Sequence, residues 1–202
     1  MENTIFSIIV LILSVVIHEV SHGYAALWLG DTTAKYAGRL TLNPIKHLDP
    51  VGSVLVPLML SILPGGIIFG WAKPVPYNPY NLRNRRWGEL IVAIAGPLSN
   101  FLLAFVFGMI IRFGGGLSEA FIQLSLVIVV INIVLGIFNL MPIPPLDGSK
   151  ILFSILPQKN NGIRLALEKY GFMILIFFIF FLWQFLFPVI AFLVKLFTGI
   201  SF

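Results

Sequence analysis

Apolar runs long enough to cross a bilayer recur along this chain, at about Ile5 to Leu29, Val51 to Gly70, Gly88 to Ile111, Leu117 to Met141 and Tyr170 to Phe197. A helix needs about 20 mostly apolar residues to span the hydrocarbon core. Of the 202 residues 58% are hydrophobic and 10% charged, and the mean hydropathy is +1.00, which lies far outside the composition of a soluble domain. The chain is therefore expected to be an all-α polytopic membrane protein with four transmembrane helices and a segment at 51–70 that either re-enters or spans as a fifth. The polar stretches between the runs are each shorter than about 50 residues, the usual lower size of a domain with its own core. Residues 1–202 thus read as a single integral-membrane domain. The first run has Glu2 at its flank instead of basic residues, and no small-residue cleavage pattern follows it, so it is expected to stay in the mature protein.

Two polar stretches carry local signals. Asp31 to Pro50 alternates over Ala37 to Leu42 and ends at Asn43-Pro44, which predicts a small β-strand or hairpin. Its exposed edge, within Ala34 to Leu42, would be placed to take an extended peptide by strand addition. In Trp71 to Glu89 the prolines at 74, 76 and 79 favour extended or irregular backbone. The net charge of +5 comes from basic residues dispersed among membrane segments, which argues for loop asymmetry and against a nucleic-acid surface. Eleven of the thirteen lysines and arginines fall in 31–50, 71–88 and 142–170. If 51–70 turns back at Leu63 to Gly66, all eleven lie on one face and Arg112 lies in the opposite loop, with the first helix running inward. A full span would divide them.

Within the first apolar run stands "HEVSH". His18 and His22, at i and i+4, share one helical face, where two imidazoles can bind one Zn²⁺. Glu19, beside the first, can reach a metal-bound water without being a ligand. The plain alternative is hydrogen bonding to a neighbouring helix. Three ionisable groups near mid-membrane, each costing roughly 2 to 3 kcal/mol or more, nevertheless call for a shared partner. With no cysteine in the chain, thiolate metal sites and disulfides are excluded. A catalytic zinc has three protein ligands and an open position, and the other conspicuous acid is Asp147 in "FNLMPIPPLDGSKIL". It can cap a helix starting at Ser149 or supply the third ligand. The re-entrant topology brings Asp147 to the face of His22, and a full span does not.

"HEVSH", "AGPLSN" (Ala95 to Asn100) and "NLMPIPPLDG" (Asn139 to Gly148), in that order, resemble the site-2 protease family of intramembrane zinc metalloproteases. The stretches "LTLNPIKHLDPVGS" and "WAKPVPYNP" make the resemblance closer to its small bacterial members, which lack PDZ and CBS modules. The resemblance implies one Zn²⁺ per chain on His18, His22 and Asp147, with Glu19 as general base. It also implies cleavage within or near transmembrane segments of other membrane proteins, in a multi-pass cell-membrane enzyme whose site faces the cytoplasm. Asn139 would contact substrate backbone, or cap loose carbonyls near Pro142 to Pro145. A transmembrane substrate helix has its amides satisfied internally and would have to unwind first.

Other polar residues receive lesser roles. His47 is read as a loop hydrogen bonder instead of a ligand. Asn100 is read as a helix-packing residue, with Gly96 allowing close approach. Pro188 is expected to bend the Phe-rich last run. Two rival functions remain, an idle membrane scaffold of the same fold and a metal transporter. Against the transporter, Asn100, Gln123 and Asn132 look too few and scattered for an ion path.

Overall fold

The computed structural model describes residues 2–55, 70–156 and 161–201. Its long helices are α1 (Glu2–Trp28), α3 (Arg85–Phe113), α4 (Glu119–Asn139) and α6 (Asn161–Phe177), with short α2 (Thr33–Tyr36), α5 (Asp147–Ile155) and α7 (Phe187–Thr198). Four helical stretches are long and apolar enough to cross a membrane: Thr4–Trp28, Trp87–Phe113, Glu119–Asn139 and Gly162–Thr198. The protein is mostly helical, as the apolar runs require.

Local chemistry sets the helix ends. At the end of α1, Gly30 takes φ 105°, a left-handed value that suits glycine, and Asp31 N–H reaches back to Ala26 O at 2.9 Å. Asn84 and Ser118 cap α3 and α4 by accepting from Trp87 and Phe121 N–H. The last membrane stretch is not one regular helix. It passes through a wide turn at Phe178–Leu182 and a tight one at Trp183–Leu186 before α7. Pro188 lies in the first turn of α7, where a missing N–H is tolerated and the upstream ladder must give way.

The bundle core joins α3, α4 and α7 through Ala104, Ile111, Val129, Ile133, Ile190 and Val194. α1 packs antiparallel to α3: Ser14 meets Asn100, and His22 meets Val92. Side chains such as Leu98, Leu102 and Phe105 on α3 are exposed, as expected of a helix facing lipid instead of water.

The expected β element is absent: no strand occurs among the described residues. Thr33–Tyr36 is a helical turn, and the extended run after it has no ladder partner. Arg39 within it and His47 after it turn inward to bond backbone. Arg39 Nη2 donates to Lys73 O at 2.7 Å, and the buried His47 ring bonds Thr41 O at 2.8 Å. Strand addition on this edge loses its basis accordingly.

Whether 51–70 turns back depends on residues 56–69, outside the described residues. The flanks of that stretch do meet. Trp71 N–H donates to Gly52 O at 3.1 Å, Ser53 Oγ donates to Trp71 O at 2.8 Å, and Lys73 N–H donates to His47 O at 2.9 Å. The two ends are thus held together on one side of the bundle.

Candidate metal centre

Helix α1 presents Ser14, His18 and His22 on one face, each one turn from the next, and all three are buried. His18 Nδ1 lies 2.6 Å from Asn100 Oδ1, and His22 Nδ1 lies 2.6 Å from Val92 O. Both partners are acceptors, so each Nδ1 carries the ring proton and each Nε2 turns a lone pair inward. The two Nε2 atoms are 3.1 Å apart, and each is 3.0 Å from Asp147 Oδ2. Tetrahedral donors at zinc distances stand roughly 3.3 Å apart. Three acceptors converging without a donor require a cation among them, and a proton could relieve only one contact at a time. These residues therefore fit a metal ion.

Asp147 arrives as the first residue of α5 rather than as a cap: the helix has no side-chain cap bond, and its carboxylate turns to the imidazoles. The next residue explains the approach. A Cβ on Gly148 would collide with the carbonyl oxygens of Leu140 and Met141, so glycine lets α5 fold tightly under the end of α4. Lys150 Nζ bonds Asp147 Oδ1 at 3.1 Å and lies 5.7 Å from the centre of the Tyr77 ring. Burial works against ionisation of Asp147. The Lys150 ammonium works the other way and favours its ionised form. Burial likewise opposes the Lys150 charge, but Asp147 keeps its ammonium above the ordinary value.

Glu19 sits beside the cluster. Its Oε2 accepts the Val75 N–H at 2.8 Å, a contact brought by the extended segment that follows Trp71. Pro74 and Pro76 have no N–H, so Val75 is the single backbone donor of that tripeptide. Asp31 fastens the same segment further along. It accepts from Asn78 N–H at 2.7 Å and Asn81 Nδ2 at 2.9 Å, while Thr33 donates from its N–H and hydroxyl. Burial raises the Asp31 carboxyl, and these hydrogen bonds more than offset that, leaving it below the ordinary carboxylate value.

The remaining sequence candidates have other hydrogen-bond partners. The Asn139 amide donates to Leu135 O on its own helix at 3.0 Å, and His47 bonds within its loop. Sequence reasoning missed the way the buried amides act together. Asn100 and Asn132 are not scattered: Asn100 Nδ2 donates to Asn132 Oδ1 at 2.9 Å, and Asn132 Nδ2 donates to Ser14 Oγ at 2.9 Å. The available signal was Ser14, one turn before His18 on the same face.

Comparison with known proteins agrees with this geometry. The sequence model of peptidase family M50 matches residues 6–121 and 114–182. Three relatives carry "zinc metalloprotease" in their names. YwhC of Bacillus subtilis (strain 168) is 42% identical over 184 residues, covering 84% of this chain and 77% of its own. Rip2 of Mycolicibacterium smegmatis is 29% identical, covering 82% and 62%, and MJ0392 of Methanocaldococcus jannaschii is 29% identical, covering 81% and 39%. The chain thus spans less than two thirds of the length of the latter two. No solved structure matches it. Between them, the two matched stretches run from the first apolar helix into the last and take in all three residues of the cluster, and on that evidence the chain belongs to peptidase family M50, the site-2 protease family.

Proposed function

We propose that this membrane metalloprotease is an intramembrane zinc endopeptidase, hydrolysing peptide bonds within or near transmembrane segments of other membrane proteins. In this reading residues 1–202 act as one domain, with one Zn²⁺ per chain held by His18, His22 and Asp147. The observation that carries the reading is the convergence of three buried acceptors, from α1 and α5, with Glu19 alongside. Zinc with three protein ligands keeps a position open, polarises a carbonyl and lowers the pKa of water.

The chain's own residues supply the rest. Asn100 and the Val92 carbonyl hold the two imidazoles in the ligating tautomer. Lys150 occupies Asp147 Oδ1, so Oδ2 is the oxygen offered inward. The Val75 N–H anchors Glu19 Oε2, and the carboxylate takes a proton from the attacking water at Oε1 and delivers it to the leaving amine nitrogen as the C–N bond breaks. Asn139, released from Leu135 O, bonds unwound substrate backbone in this reading. The basic residues of 31–50, 71–88 and 142–170 support a cytoplasmic position for this end of the bundle.

Zinc content of detergent-purified protein tests the site. About one zinc per chain is expected in the wild type, and Asp147→Ala should lose it or bind it much more weakly. Glu19→Gln should keep the zinc and lose about a hundredfold or more of proteolysis. A wild type that stays metal-free after reconstitution with zinc would overturn the reading in favour of an idle scaffold.

A further inference from the structure

The chain of hydrogen bonds behind His18 has a direction, and the direction is set two residues away from the site. Asn132 Nδ2 gives its hydrogens to Ser14 Oγ and Ile128 O, both at 2.9 Å. Only Asn132 Oδ1 is then left to face α3, where it accepts from Asn100 Nδ2 at 2.9 Å. Asn100 Nδ2 also points toward Ser14 O at 3.4 Å. With its nitrogen so engaged, Asn100 must turn its oxygen to His18 Nδ1, at 2.6 Å. An oxygen there can only accept, which puts the ring proton on Nδ1 and the lone pair on Nε2. Asn100 and Asn132 are both fully buried, so a wrong orientation would leave amide groups unpaired.

We propose that Asn132, whose hydrogen bonds go to Asn100, Ser14 and Ile128 and not to the metal cluster, is a positioning residue for it: it locks the Asn100 amide in the one orientation that makes His18 a ligand. Without Asn132, the Asn100 amide can rotate by half a turn and present its nitrogen to His18 Nδ1. The ring then moves its proton to Nε2, where it points at Asp147 and blocks the site. Helix packing alone would also place amides between α1, α3 and α4, but packing does not require the chain to end, oxygen first, on the one ring nitrogen that selects the tautomer. The inference rests on the reading above that His18 binds zinc.

The test is zinc affinity, measured by chelator competition on detergent-purified protein, together with the ligand-field bands of the Co²⁺-substituted form. Asn132→Leu is expected to bind zinc about tenfold or more weakly, in the range seen when such outer partners are removed, and to alter the Co²⁺ bands. Adding Asn100→Asp to that variant is expected to restore affinity to within about threefold, because a carboxylate has an acceptor at both positions and needs no orienting partner. A purely structural role for Asn132 predicts no such rescue, so a failed rescue overturns the proposal. Asn132→Leu that binds within about twofold of wild type with unchanged bands also overturns it and leaves the zinc reading standing. If Asn132→Leu does not fold, Asn132→Ala takes its place: zinc binding within about twofold of wild type, or no rescue on adding Asn100→Asp, overturns the proposal. Wild-type affinity in His18→Ala removes the underlying reading itself.

Discussion

Gly96 sets how close α3 comes to the histidines. A Cβ there would collide with His22 Nε2 and stand 2.6 Å from His18 Nε2, and neither ring can swing away without losing its Nδ1 partner. Gly96→Ala is therefore expected to abolish zinc binding while the protein still inserts and purifies as a folded species; retained zinc content would contradict this. The spacing of His18 and His22 was legible because one helical turn brings i and i+4 together whatever the fold. Asp147, 125 residues from His22, stood out as the other conspicuous acid, but a helix cap explained it equally well until the parity of membrane crossings and the family resemblance favoured a ligand. Asn132 was not legible. Its role depends on which way three side chains point across three helices, and the periodicity of an apolar run carries no such information. The Val92 carbonyl, which orients His22, is invisible to any reading of side chains.

Among the elements, the extended segment over α1 departs most from what alternation in the sequence suggests. Alternating apolar residues predict a strand only if a neighbour completes the ladder, and here Arg39 and Asp31 satisfy backbone groups from outside any sheet. The helices were readable because a run of about 20 apolar residues has few alternatives in lipid. The Pro-Val-Pro tripeptide leaves one donor for Glu19, so Val75→Pro deletes that donor in a segment already shaped by proline. Losing a hydrogen bond to a charged group corresponds to about tenfold or more. The expected outcome is a fall of that size in kcat with zinc content unchanged, whereas Val75→Ala, which keeps the N–H, should stay within about threefold. Equal activity in the two variants would show that the contact does not orient the base.

At the scale of the whole molecule, the ends of α1 and α4 and the start of α3 share one face with the cluster, and Arg112 lies at the other end, where it bonds Leu196 O. Single cysteines can report this directly, since the chain has none of its own. A cysteine at Lys46 and one at Arg83 should label from the same side of the membrane, and one at Arg112 from the opposite side; labelling of Lys46 and Arg83 positions from opposite sides would refute the arrangement. The tie between Gly52, Ser53 and Trp71 has a consequence for how such a protein can vary. Chain joining two points already held together loses little by growing, since each doubling of length adds only about 0.6 kcal/mol to the closure entropy. A connection of another length between Leu55 and Gly70 would start and end at this fixed clasp, and the spacing of His18, His22 and Asp147 would not register its length.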